Sequence, residues 1–151
     1  MAQVSTYLNF PRHTEEAFNF YKSVFGGEFS RGGIAHFSDI PAQEGMPKLA
    51  EEDLNLVMHI ELPILGGHLL MVTDAPESMG FKLQFGNNVY INLEPDTKAE
   101  TKRLFLALAE NGQVEQNLED MFWGSYYGSL TDKYGVRWMF NCTEQQLQFE
   151  I

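Results

Sequence analysis

Tyr90-Ile91-Asn92-Leu93 repeats the pattern of Tyr7-Leu8-Asn9-Phe10, and Thr97 stands seven residues after Tyr90 just as Thr14 stands seven after Tyr7. Both runs alternate apolar with polar or amphipathic residues, the period of a half-buried strand. Beyond the first run, Thr14 offers an N-cap, and Glu15 and Glu16 suit the positive end of a helix dipole. Ala17, Phe18, Tyr21, Val24 and Phe25 then recur at helical spacing until Gly26-Gly27 stops the helix. Beyond the second run, Thr97 and Glu100 have capping-box spacing, and Leu104, Phe105, Leu108 and Ala109 make an apolar stripe ending at Gly112.

Further from these runs the two halves keep the same order. A second strand is predicted from Glu28 to about Phe37. A hairpin follows, with arms Leu56–Leu62 and His68–Thr73 and a turn from Pro63 to Gly67. The other half carries a short strand near Val114, then arms Tyr127–Thr131 and Val136–Cys142 around a turn at Asp132–Gly135. Aligning Gly67 with Gly135 places His59 on Tyr127 and Met71 on Met139. Each half reads strand, helix, three strands, and neither alone covers its sheet. The expectation is an α+β fold of two βαβββ repeats within a single domain over residues 1–151. Repeat one covers about 1–75, a connector about 76–88, and repeat two about 89–151. The polar stretch 38–53, with Pro41, Gly45 and Pro47, is the longest loop and a candidate lid; Glu51-Glu52-Asp53 reads as its solvated end, or alternatively as a rim of the cleft entrance.

Composition narrows the function classes. The chain has 151 residues, 44% of them hydrophobic and 13% aromatic, enough for a packed core. With 10 Lys+Arg against 21 Asp+Glu the net charge is −11, which argues against a nucleic-acid footprint or adhesion to an anionic membrane. Cys142 is the only cysteine, so no intrachain disulfide or thiolate cluster forms. Residues 1–6 have neither a basic nor an apolar leader region, and no apolar run approaches ~20 residues, so a cytoplasmic protein is expected.

Several local runs carry a likeness to a known family: Ala17 with Phe20-Tyr21, Val24-Phe25-Gly26-Gly27, Phe122-Trp123-Gly124, and Thr131-Asp132-Lys133-Tyr134-Gly135-Val136 followed by Trp138-Met139 and Asn141. With the repeated βαβββ pattern they resemble the vicinal oxygen chelate superfamily (the glyoxalase/bleomycin resistance fold), and within it the PhnB-like branch. The resemblance implies a curved eight-stranded mixed sheet around a cleft, helices on its convex side, and a homodimer. No Gly-rich loop between strand and helix suggests a nucleotide cofactor.

Alternation assigns the faces. If Leu8, Phe10, Ile91 and Leu93 pack on the helices, then Tyr7, Asn9, Tyr90 and Asn92 point the other way. Met58, Ile60, Leu62, Leu70 and Val72 belong to the core, leaving His59, Glu61, Met71 and Thr73 for the cleft. Val136, Trp138 and Phe140 likewise leave Arg137, Met139 and Asn141 on the concave side, with Tyr127, Ser129 and Thr131 opposite them. Trp123 is placed to wall the pocket. The ligand-binding candidates are thus Tyr7, Asn9, His59, Glu61, Met71, Tyr90, Asn92, Trp123, Tyr127, Met139 and Asn141.

Metal-using members of the superfamily hold an ion with His or Glu from four strands. The corresponding positions here read as Tyr7, Met71, Tyr90 and Met139, phenols and thioethers that suit nickel, zinc or iron poorly. No metal and no cofactor is therefore expected. His59 and Glu61, two apart on one strand, are the best candidates for proton transfer. The leading expectation is a protein that binds a small molecule in the cleft without metal. One alternative is a metal-dependent lyase or dioxygenase-like enzyme with a displaced site at His59 and Glu61, joined by His36. Another is a dimer that sequesters a cationic antibiotic. His68 is expected at a solvent-facing hairpin edge, and His13 exposed before its helix.

Overall fold

The computed structural model describes residues 2–41, 45 and 48–144. In chain order the elements are β1 (Thr6–Phe10), α1 (Thr14–Phe25), β2 (Ala35–His36), β3 (Val57–Pro63), β4 (Leu69–Asp74), β5 (Ile91–Leu93), α2 (Lys98–Ala109), β6 (Gln113–Asp120), β7 (Tyr126–Thr131) and β8 (Arg137–Cys142). They form two compact units, Met1–Gln84 and Phe85–Ile151. Each unit is a strand, a helix and three strands, and each makes one mixed four-stranded sheet. The orders, β1-β4-β3-β2 and β5-β8-β7-β6, are the same when the halves are matched strand for strand. The first strand of each half runs parallel to the last, and the other pairs are antiparallel. This is the α+β architecture of two βαβββ repeats that the sequence predicts.

In the first unit α1 packs on β3 and β4. Ala17, Phe18 and Tyr21 of the helix are fully buried, as are Ile60, Leu62, Leu70 and Val72 of the strands. Burying each large apolar side chain contributes about 1.5–3 kcal/mol before the entropy of ordering it is subtracted. In the second unit α2 lies on β7 and β8, and the Phe105 ring meets Phe140 edge-on at 5.5 Å. Gly128 permits this approach: a Cβ there would sit 2.8 Å from Leu118 Cδ2 and 3.0 Å from Phe105 Cε2.

Four sequence expectations are corrected. The strand predicted over Glu28–Phe37 is only Ala35–His36, because Arg31, Gly32 and Gly33 take φ of 53°, 81° and 98°, outside the extended region. The N-cap of α1 is His13 rather than Thr14, and Asp74 supplies the capping oxygen from the end of β4 by accepting from Thr14 N at 3.2 Å. Leu8 and Met58, expected in the core, are half-buried. Asp53 is not solvated: it is buried, accepts from Arg12 Nη1 at 2.9 Å and from Ser78 Oγ at 2.7 Å, and both hold its carboxyl below the usual carboxylate range.

Thr97 does cap α2, accepting from Glu100 N at 3.1 Å, while the Glu100 carboxylate turns to Arg103. The strand expected near Val114 is the eight-residue β6. Residues 42–44 and 46–47 of the candidate lid lie outside the described residues. No described helix is long and apolar enough to cross a membrane.

Candidate functional site

Strand register decides which predicted side chains meet. In the first sheet Tyr7 is paired with Met71, and Met71 with Glu61, so these residues form one row across β1, β4 and β3. Asn9 pairs with Thr73 in the neighbouring row. All five point away from α1, since the intervening Ile60, Leu62, Leu70 and Val72 are buried beneath it. His59 lies two residues from Glu61 on the same face, its ring 5.9 Å from that of Tyr7 and its Nε2 3.1 Å from Glu61 Oε1. The structure thus brings Tyr7, Asn9, His59, Glu61 and Met71 onto one surface.

Glu61 is only 5% exposed although it stands on the open face. Its second oxygen, Oε2, is 3.3 Å from Arg31 Nε. Arg31 escaped the sequence reading because its segment looked like strand; Gly32-Gly33 was the available signal for a turn. Burial pushes the Tyr7 phenol upward in pKa, and a hydrogen bond with Thr73 acts in the opposite direction.

The second sheet brings together Asn92, Tyr127, Met139 and Asn141. Met139 pairs with Asn92 on one side and with Ser129 on the other, and Asn141 pairs with Tyr127. Asn141 Nδ2 donates to Asn92 Oδ1 at 2.7 Å, and Ser125 Oγ donates to Asn141 Oδ1 at 3.3 Å. Trp123 is 56% exposed on the turn after β6, with its ring 6.2 Å from Tyr127 in an edge contact.

Tyr90 does not occupy the place that its echo of Tyr7 implied. Tyr7 is opposite Met71, whereas Asn92 is the residue opposite Met139. Tyr90 lies just before β5 and donates its hydroxyl to Glu115 Oε2 at 2.6 Å. Glu115 also accepts from Thr131 Oγ1 at 2.6 Å and from Arg137 Nη1 at 2.8 Å. The Thr131 and Tyr90 hydroxyls, followed by the Arg137 charge, hold its carboxyl below the usual glutamate range.

A folded-state pKa depressed in this way contributes stability above the unfolded value, about 4.3, and that stability is lost as pH falls through the folded value. Glu115→Gln is therefore expected to be less stable than the parent at pH 6, with the gap closing toward pH 3. Urea midpoints at the two pH values check this, and an unchanged gap would contradict it.

The remaining histidines are placed as follows. His36 does not join His59. It pairs with Val57, one position along from the Ala35–His59 pair, and its ring faces Glu15 at 3.5 Å and Asp39 at 3.9 Å. His68 is half-buried, with Nε2 2.8 Å from Thr6 Oγ1, rather than in open solvent. His13 is half-buried with its ring 5.1 Å from Phe10.

Metal-using members of the superfamily that the sequence resembles hold a divalent ion with His and Glu, and the donors of neither sheet fit one. Tyr7 is paired with Met71 in the first sheet and Asn92 with Met139 in the second. Neither a neutral phenol beside a soft thioether, in the first sheet, nor a thioether beside a carboxamide oxygen already accepting a hydrogen bond, in the second, replaces His and Glu around nickel, zinc or iron. Among the described residues no three His, Cys, Asp or Glu side chains are grouped to hold a metal ion.

Two mixed sheets of matched order, each with its helix on one face, define a protein of the vicinal oxygen chelate fold, shared with glyoxalase/bleomycin resistance/dioxygenase proteins. More narrowly, the chain belongs to the PhnB-like family whose model, described as 3-demethylubiquinone-9 3-methyltransferase, matches residues 2–140.

Protein PA1353 of Pseudomonas aeruginosa is 33% identical, with 96% of this chain and 100% of that one covered and a TM-score of 0.80. The PhnB protein of Bacillus cereus is 26% identical over 93% of this chain and 99% of that one, with a TM-score of 0.70. Protein YjdN of Escherichia coli K12 is 28% identical over 95% of this chain and 97% of its own.

Proposed function

We propose that the chain binds a small molecule on the helix-free faces of its sheets without the divalent ion typical of its superfamily. The cross-strand row Tyr7–Met71–Glu61, with His59 against both Tyr7 and Glu61, carries this reading. It combines aromatic and thioether contact area with a buried carboxylate, an imidazole and the Asn9 amide, the mixture by which a binding surface holds and orients an organic ligand. In the second unit Asn92, Tyr127, Trp123, Met139 and Asn141 offer the same mixture, and Tyr90 belongs to the Glu115 cluster beside them. A homodimer and a cytoplasmic location belong to the same proposal.

A metabolite-fragment screen on the full chain in the presence of EDTA tests it, read by the methyl signals of Met71 and Met139 in carbon-edited NMR. Ligands are expected to shift one or both signals with the chelator present. Binding only after a divalent ion is restored, or ligands that move neither methyl, would overturn it.

A second reading is favoured by the 3.1 Å contact between His59 Nε2 and Glu61 Oε1: proton transfer on the bound molecule with these residues as acid and base. His59→Gln would then retain ligand binding and lose turnover. The methyl transfer named in the family description is not proposed. Neither strand-to-helix connection, Pro11-Arg12-His13 or Glu94-Pro95-Asp96-Thr97, contains a glycine with which to cradle a nucleotide cofactor.

A further inference from the structure

Glu61 Oε1 meets His59 Nε2 at 3.1 Å, and Arg31 is an unusual partner for the other oxygen of a buried carboxylate. The Glu61 side chain is 6% exposed, whereas that of Arg31 is 80% exposed and comes to 3.3 Å of it at Nε. An ionised carboxylate removed from water must stay paired, and truncating its partner is costly. A largely exposed arginine at 3.3 Å is a weak partner, because solvent screens the pair and the side chain loses entropy on being held.

The backbone is arranged to deliver that contact. Arg31 sits in the left-handed region at φ 53°, followed by two positive-φ glycines, and Ser30 N donates to Glu61 O at 2.8 Å, tying the turn to β3. A non-glycine residue at positive φ costs on the order of 1 kcal/mol and persists where surrounding structure holds it. In and next to the Glu61 row lie groups that suit a cation with an organic body. Tyr7 is 48% exposed and stands in the Glu61 row, Met71 lies between them, and His59 lies against both Tyr7 and Glu61.

We propose that the helix-free face of the first sheet takes a ligand carrying an ammonium or amidinium group on an apolar body, with Glu61 as its counter-ion and Arg31 as a stand-in that the ligand cation displaces. This rests on the small-molecule reading above and names the ligand class. A compact cation reaches Glu61 with more than one N–H, and Tyr7 offers it a π face. Arg31, freed, returns to solvent with little penalty because most of it is already there. The net charge of −11 draws such ligands toward the protein.

Three probes of one shape test this on the full chain: phenethylammonium, neutral 2-phenylethanol and anionic phenylacetate, each titrated while the Met71 methyl signal is followed. Phenethylammonium is expected to shift Met71 with an affinity at least about tenfold above the alcohol, and phenylacetate to bind more weakly than either. Arg31→Ser is expected to tighten phenethylammonium by about fivefold, and Glu61→Gln to reduce it to the level of the alcohol. Thermal melts of both variants establish that they are folded.

Equal affinity for cation and alcohol overturns the cation inference and leaves the small-molecule reading standing. Preferred binding of phenylacetate, abolished in Arg31→Ser, overturns it in favour of an anion site built on Arg31. If no probe moves Met71 while other fragments do, the inference falls alone; if no compound moves Met71 or Met139, both readings fall.

Discussion

Asp132→Ala is expected to lower stability by about 3–5 kcal/mol, enough to unfold much of the second unit at moderate urea. Asp132 is 3% exposed and holds the turn between β7 and β8 closed. Its Oδ1 accepts from Tyr134 N at 2.8 Å and Val136 N at 3.0 Å, and its Oδ2 from the indole Nε1 of Trp138 at 2.9 Å. Trp138 is fully buried, so its N–H has no water to turn to. Alanine removes the acceptor shared by all three donors, and hydrogen bonds to a charged acceptor contribute about 1.5–3 kcal/mol each. Asp132→Asn keeps the two amide bonds but sets an NH2 against the indole N–H, so it is expected to lose roughly half as much. Urea denaturation followed by tryptophan fluorescence reads both variants, and an alanine variant within about 1 kcal/mol of the parent would contradict the assignment.

In the first unit Asp74→Ala is expected to cost about 2–4 kcal/mol. Asp74, 2% exposed, places one oxygen on Thr14 N at 3.2 Å and the other on Val57 N at 2.9 Å. It thereby fixes the start of α1 and the start of β3 to the end of β4, and its charge faces the positive end of the helix. Asparagine has one acceptor for two amide donors, so Asp74→Asn is expected to fall close to the alanine variant. This ordering differs from that at Asp132, where asparagine preserves most of the bonding. Chemical denaturation read by loss of helical circular dichroism checks it, and full stability of Asp74→Asn would show that only one of the two bonds contributes.

The repeated architecture was legible because its signals are local. Alternation in Tyr7–Phe10 and Tyr90–Leu93, helical spacing in Ala17–Phe25, and the Thr97 cap each depend on neighbours within a turn or two. Inter-strand register is not local. Sliding β5 by two residues leaves every side chain on its own face, so alternation cannot distinguish Tyr90 from Asn92 as the partner of Met139.

The candidate surface was read in part for the same reason. His59, Glu61, Met71 and Tyr7 follow from face assignment, but Arg31 reaches Glu61 from thirty residues away through a turn made by backbone at positive φ. Asp53 was misread as solvated because its partners, Arg12 and Ser78, lie 41 and 25 residues from it along the chain. Composition around Asp53 records only its acidic neighbours.

The Tyr7–Met71 pair of the first sheet and the Asn92–Met139 pair of the second, poor donors for a divalent ion, separate the binding reading from metal-dependent chemistry. Calorimetric titration of the tag-free full chain with Ni2+, Zn2+ and Mn2+ tests that separation most directly. No stoichiometric uptake tighter than about 10 μM is expected for any of the three. One equivalent of ion bound more tightly than this, and released in Met71→Leu or Met139→Leu, would contradict it.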